Sequence, residues 1–445
     1  MVSLPSQCLH GRISAFNVCR PLLTGLMFMN RIVQGTTPIY KPVLDAMMPY
    51  LTHHYGNPSS SHQYGREPKR ALDHARRAVL RLVCPRGDDI DKDALMALMI
   101  TSCGTESNNW AIRFALLRAR DRTDGEGPLH VVTSNIEHPA IAECLKSYVE
   151  GHLTPKITVT YVEANREGIV STQEVLDAMM PNTALVTIMT ANNEVGSVQP
   201  VFDIAKQCRE RGVLFHTDAA QAVGKIDLRG LADPDFGADM ITLVGHKFGC
   251  PKGVAALYVR PDCFNEYKHT GSLLLMGGGQ ENGMRGGTEN VPYIVAMGRA
   301  AEILLEKRDN SEITNLESNI VHMSRMRERL LTKLVNGIGK DEIVRVNGPS
   351  KPEQRLPNTL SVGLKGVQSG NLLAKIGDIV ACSAGSACHS SNQTSYSSVL
   401  KALEVPPAYA IGTLRLSVGP DTVEEEIDFA AAAIIEEANS MINRY

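Results

Sequence analysis

Between about residues 95 and 260 the chain alternates short apolar runs with segments of helical period. Residues 94–101 (ALMALMIT) form a continuous apolar run, and 107–118 carry the spacing of a helix. The scheme repeats with a strand at 129–133 and a helix at 141–149, then strands at 157–162 and 184–190 and a helix at 202–211. Further strands are predicted at 213–216, 240–244 and 254–259. Apolar strands that do not alternate with polar positions are buried on both faces, so the pattern predicts an α/β fold with a mostly parallel central sheet. After residue 290 the texture changes. Two long helices (291–308 and 312–334) precede short strands at 343–346, 359–362, 379–382 and 413–417, and a last helix spans 423–443. The expected organisation is an irregular N-terminal segment (1–35), a large α/β domain (36–295) and a smaller α+β domain (296–445).

Composition narrows the classes of function. Lys+Arg 45 against Asp+Glu 48 leaves a net charge of -3, with no basic footprint for nucleic acid. No apolar run approaches the ~20 residues of a membrane-spanning helix, so no membrane partner is expected. The 10 cysteines include no C-x-x-C pair, which argues against zinc ribbons and thioredoxin motifs; no metal site is expected. Sparse thiols fit a reducing, cytoplasmic setting. The alternative is mitochondrial, because Arg12, Arg20, Arg31 and Lys41 occur with no acid before Asp45.

In parallel sheets ligands bind beyond the carboxyl ends of the strands. Those ends carry Gly104-Thr105, Glu137-His138, Asn192-Asn193, Asp218 with Gln221, and Gly245-His246-Lys247. Each has a plain reading. Gly104-Thr105 could only cap a helix, His138 could be a loop histidine, and a lone lysine at position 247 would usually reach outward to water. Together they read differently. A phosphate seats on a helix N-terminus, a desolvated lysine becomes a nucleophilic amine, and a buried carboxylate needs a cationic partner. Those are the requirements of pyridoxal 5'-phosphate, whose aldehyde takes the lysine as a Schiff base while the acid keeps the ring nitrogen protonated. A second feature lies outside the sheet: Cys388, in the Ser- and Gly-rich stretch 383–398, is either a free loop thiol or a nucleophile delivered by its loop.

The stretches TSCGTESNN (101–109), EHPA (137–140), ANNEVG (191–196), HTDAAQAVGK (216–225), GHK (245–247), GGGQENGMRGGTEN (277–290) and GSACHS (385–390) resemble the cysteine desulfurase and selenocysteine lyase family, of class V aminotransferase type. The likeness runs from about Thr36 to Glu436. It implies a type I pyridoxal phosphate-dependent transferase fold and a homodimer. By that likeness Lys247 holds the cofactor, His138 stacks on its ring, Asp218 pairs with the ring nitrogen, and Asn193 and Gln221 touch ring substituents. Gly104, Thr105 and His246 would hold the phosphate, with Thr288 reaching it from a partner subunit. Arg415 would clamp the substrate carboxylate, and Asn57 would line the substrate pocket.

The implied reaction removes sulfur from L-cysteine, giving L-alanine and a persulfide on Cys388. Lys247 would serve as base and His138 as proton shuttle. The alternative is selenocysteine lyase acting on L-selenocysteine; a less favoured one is an aminotransferase on the same fold, which has no need of Cys388. A sulfur or selenium acceptor protein would follow. Three departures from the family pattern stand out. MNRIVQGTTP (29–38) places Ile32 and Gly35 where the family has an acid and an alanine, Val244 precedes GHK where many desulfurases have serine, and the end at Tyr445 leads us to expect no extended docking tail.

Overall fold

Strands β1 (Leu98–Thr101), β2 (Leu129–Ser134), β3 (Ile157–Val162), β4 (Thr183–Thr187), β5 (Leu214–Asp218), β6 (Met240–Val244) and β7 (Ala255–Val259) form one sheet in the order β1-β7-β6-β5-β4-β2-β3. The computed structural model describes residues 36–85, 95–122, 127–263, 273–308, 311–338, 343–385 and 396–442. Segment 1–35, with Ile32 and Gly35, and Cys388 lie outside the described residues. Strands β3, β2, β4, β5 and β6 pair in parallel; β7 is antiparallel to both β6 and β1. It follows that β7 alone runs against the rest. Every residue of β1, β2, β5, β6 and β7 is buried, which is why apolar side chains dominate β1, β6 and β7, while β2 and β5 also bury His130 and His216.

The helices are α1 (Lys41–Thr52), α2 (Gln63–Leu80), α3 (Gly104–Arg122), α4 (Pro139–Val149), α5 (Thr172–Asp177), α6 (Val201–Glu210) and α7 (Val291–Leu305). Trp110, Phe114 and Leu116 of α3 share one core with Val131, Leu185 and Leu257 of the sheet. A second core joins α1, α2 and α7 to the strands through Val43, Leu72, Val79, Ile294 and Met297. Gly298 lets α7 approach α2 closely, since a Cβ there would lie 2.5 Å from the Cα of Ala75.

The second sheet is antiparallel throughout, with β8 (Val344–Asn347), β9 (Thr359–Leu364), β10 (Ser383–Ala384) and β11 (Thr413–Ser417) in the order β10-β11-β9-β8. Helices α8 (Asn315–Ile338), α9 (Ser369–Ile376) and α12 (Glu424–Ile442) cover it, and short helices α10 (Ser398–Ala402) and α11 (Pro407–Ala410) lie between. Leu330, Leu334, Val362, Leu414 and Ile434 meet in its core. The strand expected at 379–382 forms instead at Ser383–Ala384, because Ser383 takes the pairing position opposite Arg415.

Two topological facts place the site. From β2 the chain goes outward to β3, then crosses back to β4, β5 and β6, so the carboxyl ends of β2 and β4 diverge at a switch point. The turn after β4 is also tied to the second module. Val198 N–H donates to the Gln354 carbonyl at 2.8 Å and Leu356 N–H to that of Gly196 at 2.7 Å. Gly348 turns there at φ 87°, where a Cβ would lie 2.6 Å from the Val195 carbonyl oxygen.

Candidate active site

Strand β1 ends in a tight turn that opens α3 at Gly104. No larger residue fits that position, because a Cβ on Gly104 would lie 2.7 Å from Val244 Cγ2 at the end of β6. Val244 thus packs the phosphate turn rather than offering it a hydroxyl. Thr105 follows, exposed, on the first turn of the helix. Glu106 also stands there and accepts from Ser102 N–H at 2.6 Å and from Arg285 Nε at 2.9 Å. Burial pushes its carboxyl up, but the Arg285 and Ser102 hydrogen bonds outweigh that and hold it below the usual carboxylate range. Arg285 therefore neutralises an acid that would otherwise oppose a phosphate at this helix end.

Asp218 closes β5 and is 7% exposed. Its Oδ2 accepts from Asn108 Nδ2 at 2.6 Å and its Oδ1 from Ala220 N–H at 2.9 Å. Asn108 comes from the buried face of α3. These partners are neutral amides, so a buried carboxylate has room for a cationic donor. Two more buried atoms lack partners among the described residues, Asn108 Oδ1 and Glu137 Oε2. Glu137 Oε1 accepts from Ser134 Oγ at 2.6 Å and from Met189 N–H at 3.0 Å. Burial first, and then the charge of Asp218, push this carboxyl up to about 8.

His138 is exposed and caps α4, its Nδ1 accepting from Ala140 N–H at 3.1 Å. An accepting Nδ1 leaves the proton of the neutral ring on Nε2. Partial burial lowers the pKa of this imidazole; Lys247 and Arg415 act in the same direction and Asp218 against them. The Lys247 amine is pushed down by burial and then by Arg415, with Asp218 opposing. The structure therefore brings His138, Asp218 and Lys247, from three strand ends of the large sheet, and Arg415, from the middle of β11, within electrostatic reach of one another. Gln221 sits half-buried in the turn beyond Asp218.

Lys247 ends a 3-10 turn, Gly245–Lys247, that follows β6. His246 Nδ1 pairs with Thr36 Oγ1 at 3.0 Å, and its carbonyl accepts from Thr37 N–H at 3.0 Å. Burial, then Lys247, Lys252 and Lys225, push the His246 ring down to about 4. Three lysines about one turn make a cationic floor suited to an anion. Arg415, mid-β11, donates from Nη1 to the Asn193 carbonyl at 3.0 Å and from Nη2 to Ser383 Oγ at 3.3 Å. Neighbouring Glu194 accepts from Ser397 Oγ at 2.5 Å, and burial raises its carboxyl. Cys388 lies outside the described residues, but the chain on either side of them is fixed here: Gly385 N–H donates to the Thr413 carbonyl at 2.7 Å and Ser397 N–H to that of Gly385 at 2.9 Å.

Two expected residues are not drawn into this cluster. Asn57 is exposed and accepts from Ser59 N–H at 2.9 Å within its own loop. Thr288 is exposed as well, as a group meant for a partner subunit would be. Asn108, Glu194 and Arg285 escaped the sequence reading. Polar residues at the start of the helix, directly before the apolar Trp110-Ala111-Ile112 (Ser107, Asn108), were the available signal for the first. The donor set fits pyridoxal phosphate: an amine of lowered pKa, a carboxylate held by neutral amides, a helix start cleared of side chain at Gly104 and a cationic turn.

The family model described as Aminotransferase class-V matches residues 32–429. The chain is 40% identical over 396 residues to a cysteine desulfurase of Nostoc sp., covering 88% of each chain. Among solved structures, a NifS-like protein superposes with a TM-score of 0.75 at 30% identity, over 92% of this chain and 99% of the other. SspA in complex with cysteine gives 0.68 at 30% identity, over 88% of this chain and 100% of the other.

Proposed function

The chain belongs to the class V aminotransferase family, and from that premise we propose that it is a pyridoxal phosphate-dependent cysteine desulfurase. The observation that carries the reading is the convergence of Lys247, Asp218, His138 and Arg415 at the switch point, with the amine pushed down and the carboxylate sheltered. The relative from Nostoc sp. bears the same name, and a solved relative was captured with cysteine.

When bound, pyridoxal phosphate supplies an electron sink that stabilises negative charge at the substrate Cα and loosens the Cβ–S bond. Lys247 would hold it, Asp218 would keep its ring nitrogen protonated, and the Gly104-Thr105 turn with His246 would take its phosphate. Asn193 and Gln221 are assigned to its ring substituents. The chain's own groups do the rest. Arg415 orients the substrate carboxylate with its planar fork. Lys247, held below its ordinary pKa, takes up the Cα proton. His138, neutral with its proton on Nε2, moves a proton at the crevice mouth. The Cys388 thiolate takes the substrate sulfur: the Cβ–S bond breaks, a persulfide S–S bond forms, Cβ gains a proton, the proton is returned to Cα, and L-alanine leaves.

The unit we propose is a homodimer. Leu44, Met48 and Leu51 expose one apolar stripe on α1, and Tyr55 and Tyr64 extend it. Thr288 from the second chain then completes the phosphate site. The decisive experiment is alanine release from L-cysteine by the wild type and Cys388→Ser. The variant is expected to bind pyridoxal phosphate and lose turnover. Desulfuration at the wild-type rate would remove Cys388 from the reaction, and faster alanine release from L-selenocysteine in competition would make the chain a selenocysteine lyase.

A further inference from the structure

Lys225 lies in the turn that follows Asp218, and it is 6% exposed. Its Nζ donates to the backbone carbonyl of Lys247 at 3.3 Å. Burial and the neighbouring Lys247 push its amine down to about 7, with no carboxylate among the described residues opposing them. The backbone is shaped to deliver it. Gly224 turns at φ 73°, and a Cβ there would lie 2.8 Å from Cβ of Phe248, so the Asp218 turn packs directly on the Lys247 turn. A buried amine without a counter-ion is unfavourable, and an apolar side chain of the same length would serve packing as well or better. Packing does not account for it; the donor does.

We propose that Lys225 is a positioning residue: its hydrogen bond to the Lys247 carbonyl fixes the spacing between the turn that carries Asp218 and the turn that presents the Lys247 amine. The start and middle of the 3-10 turn are held by other bonds, Gly245 N–H to the Val254 carbonyl at 3.2 Å and Thr37 N–H to the His246 carbonyl at 3.0 Å, whereas Lys225 holds its end at Lys247. Removing the Lys225 donor takes this bond from a partly buried carbonyl and lets the amine drift relative to Asp218. This rests on the reading of Lys247 as the cofactor lysine.

The test mixes apoprotein with pyridoxal 5'-phosphate, traps the adduct with borohydride at timed intervals, and quantifies it at Lys247 by mass spectrometry, beside thermal melts of the apoproteins. Lys225→Met is expected to melt at or above the wild-type temperature yet be trapped roughly three- to tenfold more slowly, the loss of one hydrogen bond. Lys225→Gln, which keeps a donor, is expected to recover part of that rate and carries the test alone should the Met chain not fold. Trapping of Lys225→Gln and any folded Lys225→Met at the wild-type rate overturns the proposal, as does a melting temperature that falls in step with the rate. Wild-type protein that traps nothing at Lys247 overturns the cofactor reading itself, and this proposal with it. A wild-type adduct with unchanged variant rates overturns this proposal alone.

Discussion

At the scale of single residues, burial pushes several groups of the crevice from their ordinary states, among them Glu137, His246 and Lys247. Glu137 is the extreme carboxyl, pushed up to about 8 by desolvation and by Asp218. The direction sets a sign for stability. Below about pH 4.5, the ordinary value for glutamate, the carboxyl is neutral in both folded and unfolded chains. Between there and about 8 only the unfolded chain ionises, so stability is lost as pH rises through that window. Glu137→Gln keeps the oxygen that accepts from Ser134 and Met189 but cannot ionise. We expect its melting temperature to match wild type near pH 4.5 and exceed it by a few degrees at pH 8. A constant offset across that range would mean that Glu137 ionises normally.

At the scale of elements, the turns work because neighbouring strand ends are cut to fit one another. Gly104 opens α3 against Val244 at the end of β6, a pairing invisible in sequence because the two are 140 positions apart (244 − 104). Gly104→Ala should push Val244 or the helix start aside, at about 1–3 kcal/mol. Val244→Ala should open space for it. We expect titration with pyridoxal phosphate to show Gly104→Ala weakened and the double variant partly restored; additive losses would show that the contact is not what keeps the glycine. The same logic explains what could be read in advance. Strand Met240–Val244 was legible to the residue because a fully buried strand leaves a nearly continuous apolar run, and Thr413–Ser417 because Leu414 and Leu416 flank Arg415 in strand alternation. Helices α1 and α2 were not read. The sequence of α2, QYGREPKRALDHARRAVL, is dense in charge and holds Pro68, and its apolar stripe finds partners such as α7 only far along the chain. The motif residues at strand ends were legible because topology alone gathers them. Asn108 and Lys225 were not, since a buried amide and a buried amine reveal their use only through the atoms they face.

At the scale of the whole molecule, the two sheets meet where the turn after β4 lies against segment 348–356, so Asn193 and Arg415 are positioned by contacts from both modules. The proposed homodimer would cover surface that a single chain leaves exposed. Thr288 is exposed, and so are Leu44, Met48 and Leu51, which recur at helical spacing on the face of α1 that adjoins buried Val43 and Met47. A stable interface covers about 800 Å² per partner, more than one helix stripe offers, so the adjoining Tyr55 and Tyr64 must share in it. Placing a charge at two points of the stripe, Leu44→Asp with Leu51→Asp, leaves the core untouched because both side chains already face outward. We expect light scattering to show wild type at twice the chain mass and the double variant at once. If Thr288 acts across the dimer, the double variant should also release pyridoxal phosphate as readily as Thr288→Ala does. A monomeric variant that keeps the cofactor as tightly as wild type would place the whole phosphate site within one chain.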